Sequence, residues 1–194
     1  LMAHEIETAR IIPAPEIPND LERHDWVDIT QLYLTPFPAD ERFPDLADAE
    51  LRLRHITNPL GHTACMAAAK FGDKQSGERL EVQTEIREYP FGKLAERLAY
   101  GIIKKRRYDL GRKHTIDILD PALHGDVAIE EQEYASSDSA PVLTDRMPSN
   151  RELAVPLART TPQIIPSSHN ELLTAIEQRY RRSGKLLITV SGMS

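Results

Sequence analysis

The sequence predicts a mainly antiparallel β domain, a sheet or a barrel, followed by a proline-rich stretch and a C-terminal helix and strand. Three observations point there. Between residues 60 and 120 the only proline is Pro90, whereas Pro141, Pro148, Pro156, Pro162 and Pro166 crowd a Ser- and Thr-rich stretch, so the folded body precedes about residue 135. Within the body apolar residues recur with period 2 rather than 3.6. Turn signals at Gly61, Gly72–Gly77, Gly111 and His124-Gly125-Asp126 punctuate it at short intervals.

The elements follow in order. A strand over 4–12 sets Glu5 and Glu7 on one face, and a second over 27–34 carries Ile29, Leu32, Tyr33 and Leu34. In the third, 49–57, Glu50, Arg52 and Arg54 alternate with Leu51 and Leu53; the fourth, 63–71, ends on Lys70. The fifth, 79–87, sets Arg79, Glu81, Gln83 and Glu85 against Leu80, Val82 and Ile86. A short helix at about 91–99 places Leu94 and Leu98 on one side. Strands over 101–109, 113–119 and 127–134 put Lys105 with Arg107, Asp117 apart from Ile116 and Ile118, and Glu131 with Glu133. After the linker, Asn170 to Arg182 is helical in pattern and Lys185 to Val190 reads as a buried strand. The predicted division is a β domain over 1–135, a linker over 136–168 and a helix plus strand over 169–194.

Composition narrows the function. The 194 residues carry 24 Lys and Arg against 30 Asp and Glu, a net charge of −6, which argues against bulk binding to nucleic acid or an anionic membrane. The single cysteine, Cys65, excludes an intrachain disulfide and a Cys-ligated zinc site; with no apolar signal or membrane segment, the chain reads as cytoplasmic. Seven histidines show no H-x-x-x-H spacing. Cys65, among Ala64, Met66 and Ala67, reads as a small core thiol, and Trp26 as a packing residue. The run Lys104 to Arg107 splits across two faces and has no aromatic platform for nucleic acid.

The charge is lopsided: nearly every strand has one face bearing both signs and one mainly apolar face. Ordinary half-buried strands with their charges in water would give this pattern. So would a barrel closed with charges inward, where Arg and Lys bind a polyanion and carboxylates hold its divalent cation.

Taken together, Glu5-Ile6-Glu7, Ile29-Thr30-Gln31-Leu32-Tyr33-Leu34, Leu51-Arg52-Leu53-Arg54, Lys70, Arg79-Leu80-Glu81, Lys105-Arg106-Arg107-Tyr108, Thr115-Ile116-Asp117 and Glu131-Gln132-Glu133 resemble, in order, the signatures of the triphosphate tunnel metalloenzymes. This CYTH superfamily includes inorganic triphosphatases, thiamine triphosphatases and class IV adenylate cyclases. The resemblance implies an eight-stranded antiparallel β-barrel tunnel with a charged interior and a few outer helices. It implies that Arg52, Arg54, Lys70, Arg79, Lys105 and Arg107 grip a triphosphate-containing small molecule. Glu5, Glu7, Glu131 and Glu133 would bind Mg²⁺ or Mn²⁺, Glu81 and Asp117 would ligate metal or orient basic side chains, and Glu5, Glu7, Lys105 and Arg107 would be catalytic. The implied activity is metal-dependent hydrolysis of inorganic or organic triphosphates. A catalytically weakened regulatory domain that binds triphosphate, polyphosphate or a nucleotide is the alternative, with adenylate cyclase third.

Two positions depart from the signatures. Ala9 then Arg10 stand where the first signature ends in lysine, and in an unbroken strand Arg10 faces the wrong way. His114 and Thr115 replace an aromatic-acidic pair before Asp117. Lys185 to Gly192 resembles the first strand and opening glycine of a P-loop kinase, which implies a covalently linked kinase domain; an ordinary terminal strand is the other reading.

Overall fold

The structure is a computed structural model that describes residues 4–36, 49–72, 78–134, 150–158, 166–183 and 188–191. Its strands are β1 (His4–Ile12), β2 (Asp25–Leu34), β3 (Glu50–Thr57), β4 (Thr63–Gly72), β5 (Glu78–Glu85), β6 (Ala99–Gly111), β7 (His114–Leu119), β8 (Ala128–Tyr134), β9 (Val155–Pro156) and β10 (Ile188–Ser191). Its helices are α1 (Glu88–Leu98), α2 (Pro121–His124), α3 (Asn150–Leu153) and α4 (Pro166–Ser183), with two 3-10 turns between β1 and β2. Among the described residues no helix is long and apolar enough to cross a membrane.

One mainly antiparallel sheet contains all the strands. Its order is β2-β3-β4-β5-β10-β1-β8-β7-β6-β9, and β2 pairs with β6 as well, from Asp25 opposite Asp109 to Leu34 opposite Ala99. The eight expected strands are all present. Two more join them: β9 on β6, and β10 between β5 and β1, parallel to β1. The strand expected over 185–190 is present as β10, over the part of it that is described, and the two-residue β9 is too short for periodicity to single out.

The apolar faces define two cores. Leu51, Leu53, Ala67, Ala69, Val82 and Ile86 pack with Leu94 and Leu98 of α1 and Leu172 and Ile176 of α4. Ala67 and Ala69 of β4 lie in this cluster and leave room for the helix residues beside them. Elsewhere Ile12, Tyr108, Ile116 and Ala128 pack with Leu21, and Ile17 and Trp26 close against them. Trp26 is thus a packing residue, stacked beneath the Arg106 guanidinium at 3.7 Å.

Three local features depart from expectation. Helix α1 starts at Glu88, three residues early, because Pro90 lies in the first turn, where a missing N–H breaks no helical hydrogen bond. Strand β7 starts at His114 because Gly111, Arg112 and Lys113 turn the chain with φ of 82°, 54° and 57°. The C-terminal helix packs into the first core, with Leu172 and Ile176 among its buried members, and Arg87 pairs with Glu171 across the α1–α4 side. Helix α4 therefore packs against the strands it follows.

Truncating Ile176 to alanine should lower the stability of the whole sheet by about 2–4 kcal/mol. Urea unfolding followed by Trp26 fluorescence checks this; an unchanged midpoint would mean that α4 is not part of the cooperative unit.

Candidate functional site

Cross-strand partners share a face of a sheet, so the ladders sort the charged residues without reference to any ligand. Arg52 lies opposite Tyr33 and Ala68, Arg54 opposite Gln31 and Met66, and Lys70 opposite Glu50 and Glu81. Arg107 lies opposite Asp117, and Glu131 opposite Thr115 and Ala9. All stand on the face turned away from α1 and α4, yet Arg52 is 3% exposed, Lys105 6%, and Gln31 and Asp117 0%. Charges buried this deeply must be paired.

Two networks pair them. In the first, Glu81 accepts from Arg52 at 2.9 Å and lies 3.5 Å from Lys70 Nζ and 3.8 Å from Arg54. Gln83 donates to the same carboxylate at 2.9 Å. In the second, Asp117 takes both Nε and a terminal nitrogen of Arg107, at 2.7 and 2.8 Å, and also pairs with Lys105 Nζ. Arg107 then reaches Glu131 at 2.8 Å. A carboxylate between two or three cations is held ionised, and each cation is fixed in direction.

Proton affinities follow from this geometry. Burial pushes Glu81 up, but Arg52, Lys70 and Arg54 outweigh it and hold the carboxyl at about 2. Asp117 likewise titrates below the usual carboxylate range because Lys105 and Arg107 overcome its burial. Burial, reinforced by neighbouring Arg52, brings Arg54 down to about 10. Burial also lowers Lys105, with Asp117 opposing it.

Among the residues expected to bind substrate, Arg52, Arg54 and Lys70 meet at Glu81, while Lys105 and Arg107 meet at Asp117. Glu81 and Asp117 each pair with these basic side chains. Glu133 is half-exposed and pairs with Lys113 at 3.3 Å. The backbone puts Glu7 opposite both Glu133 and Ser191, Glu5 opposite Thr189, and Arg79 opposite Gly72 and Thr189. The side chains of Glu5, Glu7 and Arg79 lie outside the described residues. Among the described residues no three His, Cys, Asp or Glu side chains gather as a metal site.

The β1–β8 ladder runs without interruption from Ile6 to Ile12, so Ala9 shares the charged face and Arg10 the other. Arg10 pairs there with Glu130 and, at 2.8 Å, with Glu16. It does not substitute for a lysine at position 9. His114 also lies on that outer side, 2.8 Å from Glu130. Cys65 is buried and its thiol is pushed up by burial, as a core thiol should be.

Sequence reasoning missed two members of the charged face as site residues. Gln31 and Tyr33 are both buried, and Gln31 links Arg54 to the Tyr33 hydroxyl. The available signal was that Gln31 and Tyr33 share a strand face with Val27 and Ile29 and fall within the second-strand signature.

No protein-family model and no curated protein matches the chain. Among solved structures it is similar to the PH1819 protein from Pyrococcus horikoshii OT3, at 17% identity over 95% of this chain and 93% of that one, with a TM-score of 0.42.

Acid should unfold the protein by protonating these carboxylates. Glu81 has a folded pKa of about 2 against about 4.3 in an unfolded chain, so its contribution is complete above about 4.3 and is lost as pH falls toward 2. Thermal melts between pH 6 and 2.5 should show a falling midpoint. Glu81→Gln should lower the neutral-pH stability by about 3 kcal/mol and flatten that fall; an unchanged pH slope would reject Glu81 as a source of it.

Proposed function

We propose that the chain is a divalent-metal-dependent hydrolase of inorganic triphosphate or organic triphosphates, its sheet curled into a tunnel around the charged face. The observation that carries this reading is one shielded face holding Arg52, Arg54, Lys70, Lys105 and Arg107, with Glu81, Asp117 and Glu131 spaced among them. The β2–β6 ladder supports the tunnel, since it links the two ends of the main strand series. A linear polyanion suits such a face, because each phosphoryl group can displace part of an existing ion pair.

The donor chemistry fits Mg²⁺ or Mn²⁺. Glu131 and Glu133 are hard oxygen donors on one face, and Glu7 stands opposite Glu133 in register. Glu5, Glu7, Glu131 and Glu133 would hold the ion, with Glu131 released from Arg107. When bound, the metal supplies charge neutralisation and an acidified water. The chain's own residues do the rest: Arg52, Arg54 and Lys70 bind one part of the phosphate chain, and Lys105 and Arg107, aimed by Asp117, offset the charge that develops on cleavage.

The second reading is a catalytically weakened domain that binds triphosphate, polyphosphate or a nucleotide and regulates a covalently linked P-loop kinase domain. Ala9, on the charged face with Arg10 directed away, favours it.

Phosphate release from inorganic triphosphate, ATP and thiamine triphosphate with Mg²⁺, Mn²⁺ or EDTA separates the two. Hydrolysis predicts turnover that EDTA abolishes, that Arg52→Ala and Glu133→Ala reduce by about a hundredfold, and that Ala9→Lys raises about tenfold. Tight triphosphate binding without turnover in any metal would select the second reading, and neither binding nor turnover would sink both.

A further inference from the structure

We propose that Gln31 is a positioning residue for Arg54, holding its guanidinium through a neutral acceptor so that its charge stays available to an anionic ligand; this rests on the triphosphate reading of the same site. Gln31 is fully buried, and both ends of its amide are used. Its Oε1 accepts from Arg54 Nε at 2.8 Å, and its Nε2 donates to the Tyr33 hydroxyl at 2.7 Å. The orientation is dictated chemically. Arginine has no acceptor, so the amide oxygen must face it, and the amide nitrogen must then find an oxygen, which Tyr33 provides.

Arg54 differs in this from its neighbours. Arg52 takes Glu81 at 2.9 Å and Arg107 takes Asp117 at 2.7 Å, each by a close carboxylate, whereas the nearest ion-pair partner of Arg54 is the shared Glu81 at 3.8 Å. An amide fixes direction without cancelling charge. A carboxylate at position 31 would fix it equally well and neutralise it. The Tyr33 hydroxyl, on a ring buried opposite Arg52, accepts from the amide, and burial keeps it a neutral phenol.

The test is a double-mutant cycle on the full-length chain, with inorganic triphosphate binding read by calorimetry. Gln31→Leu should weaken binding about tenfold to a hundredfold in the wild-type background and not at all in Arg54→Ala. Gln31→Glu should weaken it comparably while preserving the melting temperature, which covers the case in which the leucine variant does not fold. Equal losses in both backgrounds, or no loss with Gln31→Glu, would overturn the proposal. If the wild type binds no triphosphate, the functional reading fails. The positioning is then judged by NMR of the Arg54 Nε–H: a resonance slow to exchange in the wild type and fast in Gln31→Leu or Tyr33→Phe upholds it, and an unchanged one overturns it.

Discussion

Ionised side chains on one face of the sheet are held away from water, and every layer around them answers to that constraint. Lys105 and Asp117 could not both stay charged at such depth unless each met its counterpart, and Arg107 completes the arrangement by gripping the same carboxylate with two nitrogens. Because successive residues of a strand point to opposite sides, fixing the charges on one side sends Leu51, Leu53, Val82 and Ile116 to the other. Those apolar faces need covering in turn. Helices α1 and α4 cover one stretch, and the segment around Ile17 and Leu21 covers another.

The two faces of the sheet are held by different forces. Here the hydrophobic effect acts mainly between strands and helices, and electrostatics organises the opposite face. The two are joined through the backbone alone. Arg54 and Leu53 are neighbours in sequence, yet one takes part in a polar network with Gln31 and Glu81 and the other in an apolar cluster. A substitution on the charged face therefore acts on the polar network first, and reaches the apolar packing only through the backbone they share.

Much of this was legible in the sequence because period 2 is a strong signal when both faces are distinctive. Arg79-Leu80-Glu81-Val82 could be split into faces by inspection, and the ladders place Glu81 opposite Lys70. The same alternation put Arg10 on the wrong side, and an unbroken register keeps it there. Pairing partners were not legible. Nothing local says that Arg52 of β3 meets Glu81 of β5, since that depends on how far each strand slides against the next. The role of Gln31 was hidden for a related reason: a neutral amide matters only through the two residues it links. The surface that α4 packs on was not legible either, because its amphipathic pattern fits any apolar surface.

The alternation also sets which changes the gene can tolerate. Exchanging one residue within β3 alters either the polar network or the apolar cluster, whereas inserting or deleting one would swap the two along the rest of the strand, burying leucines among arginines. Length variation in descendants of this sequence should therefore collect at turns such as Asn58–His62 and Arg112–Lys113, where the chain reverses outside the ladders. The strands would keep their length even where every residue on their charged face had been replaced.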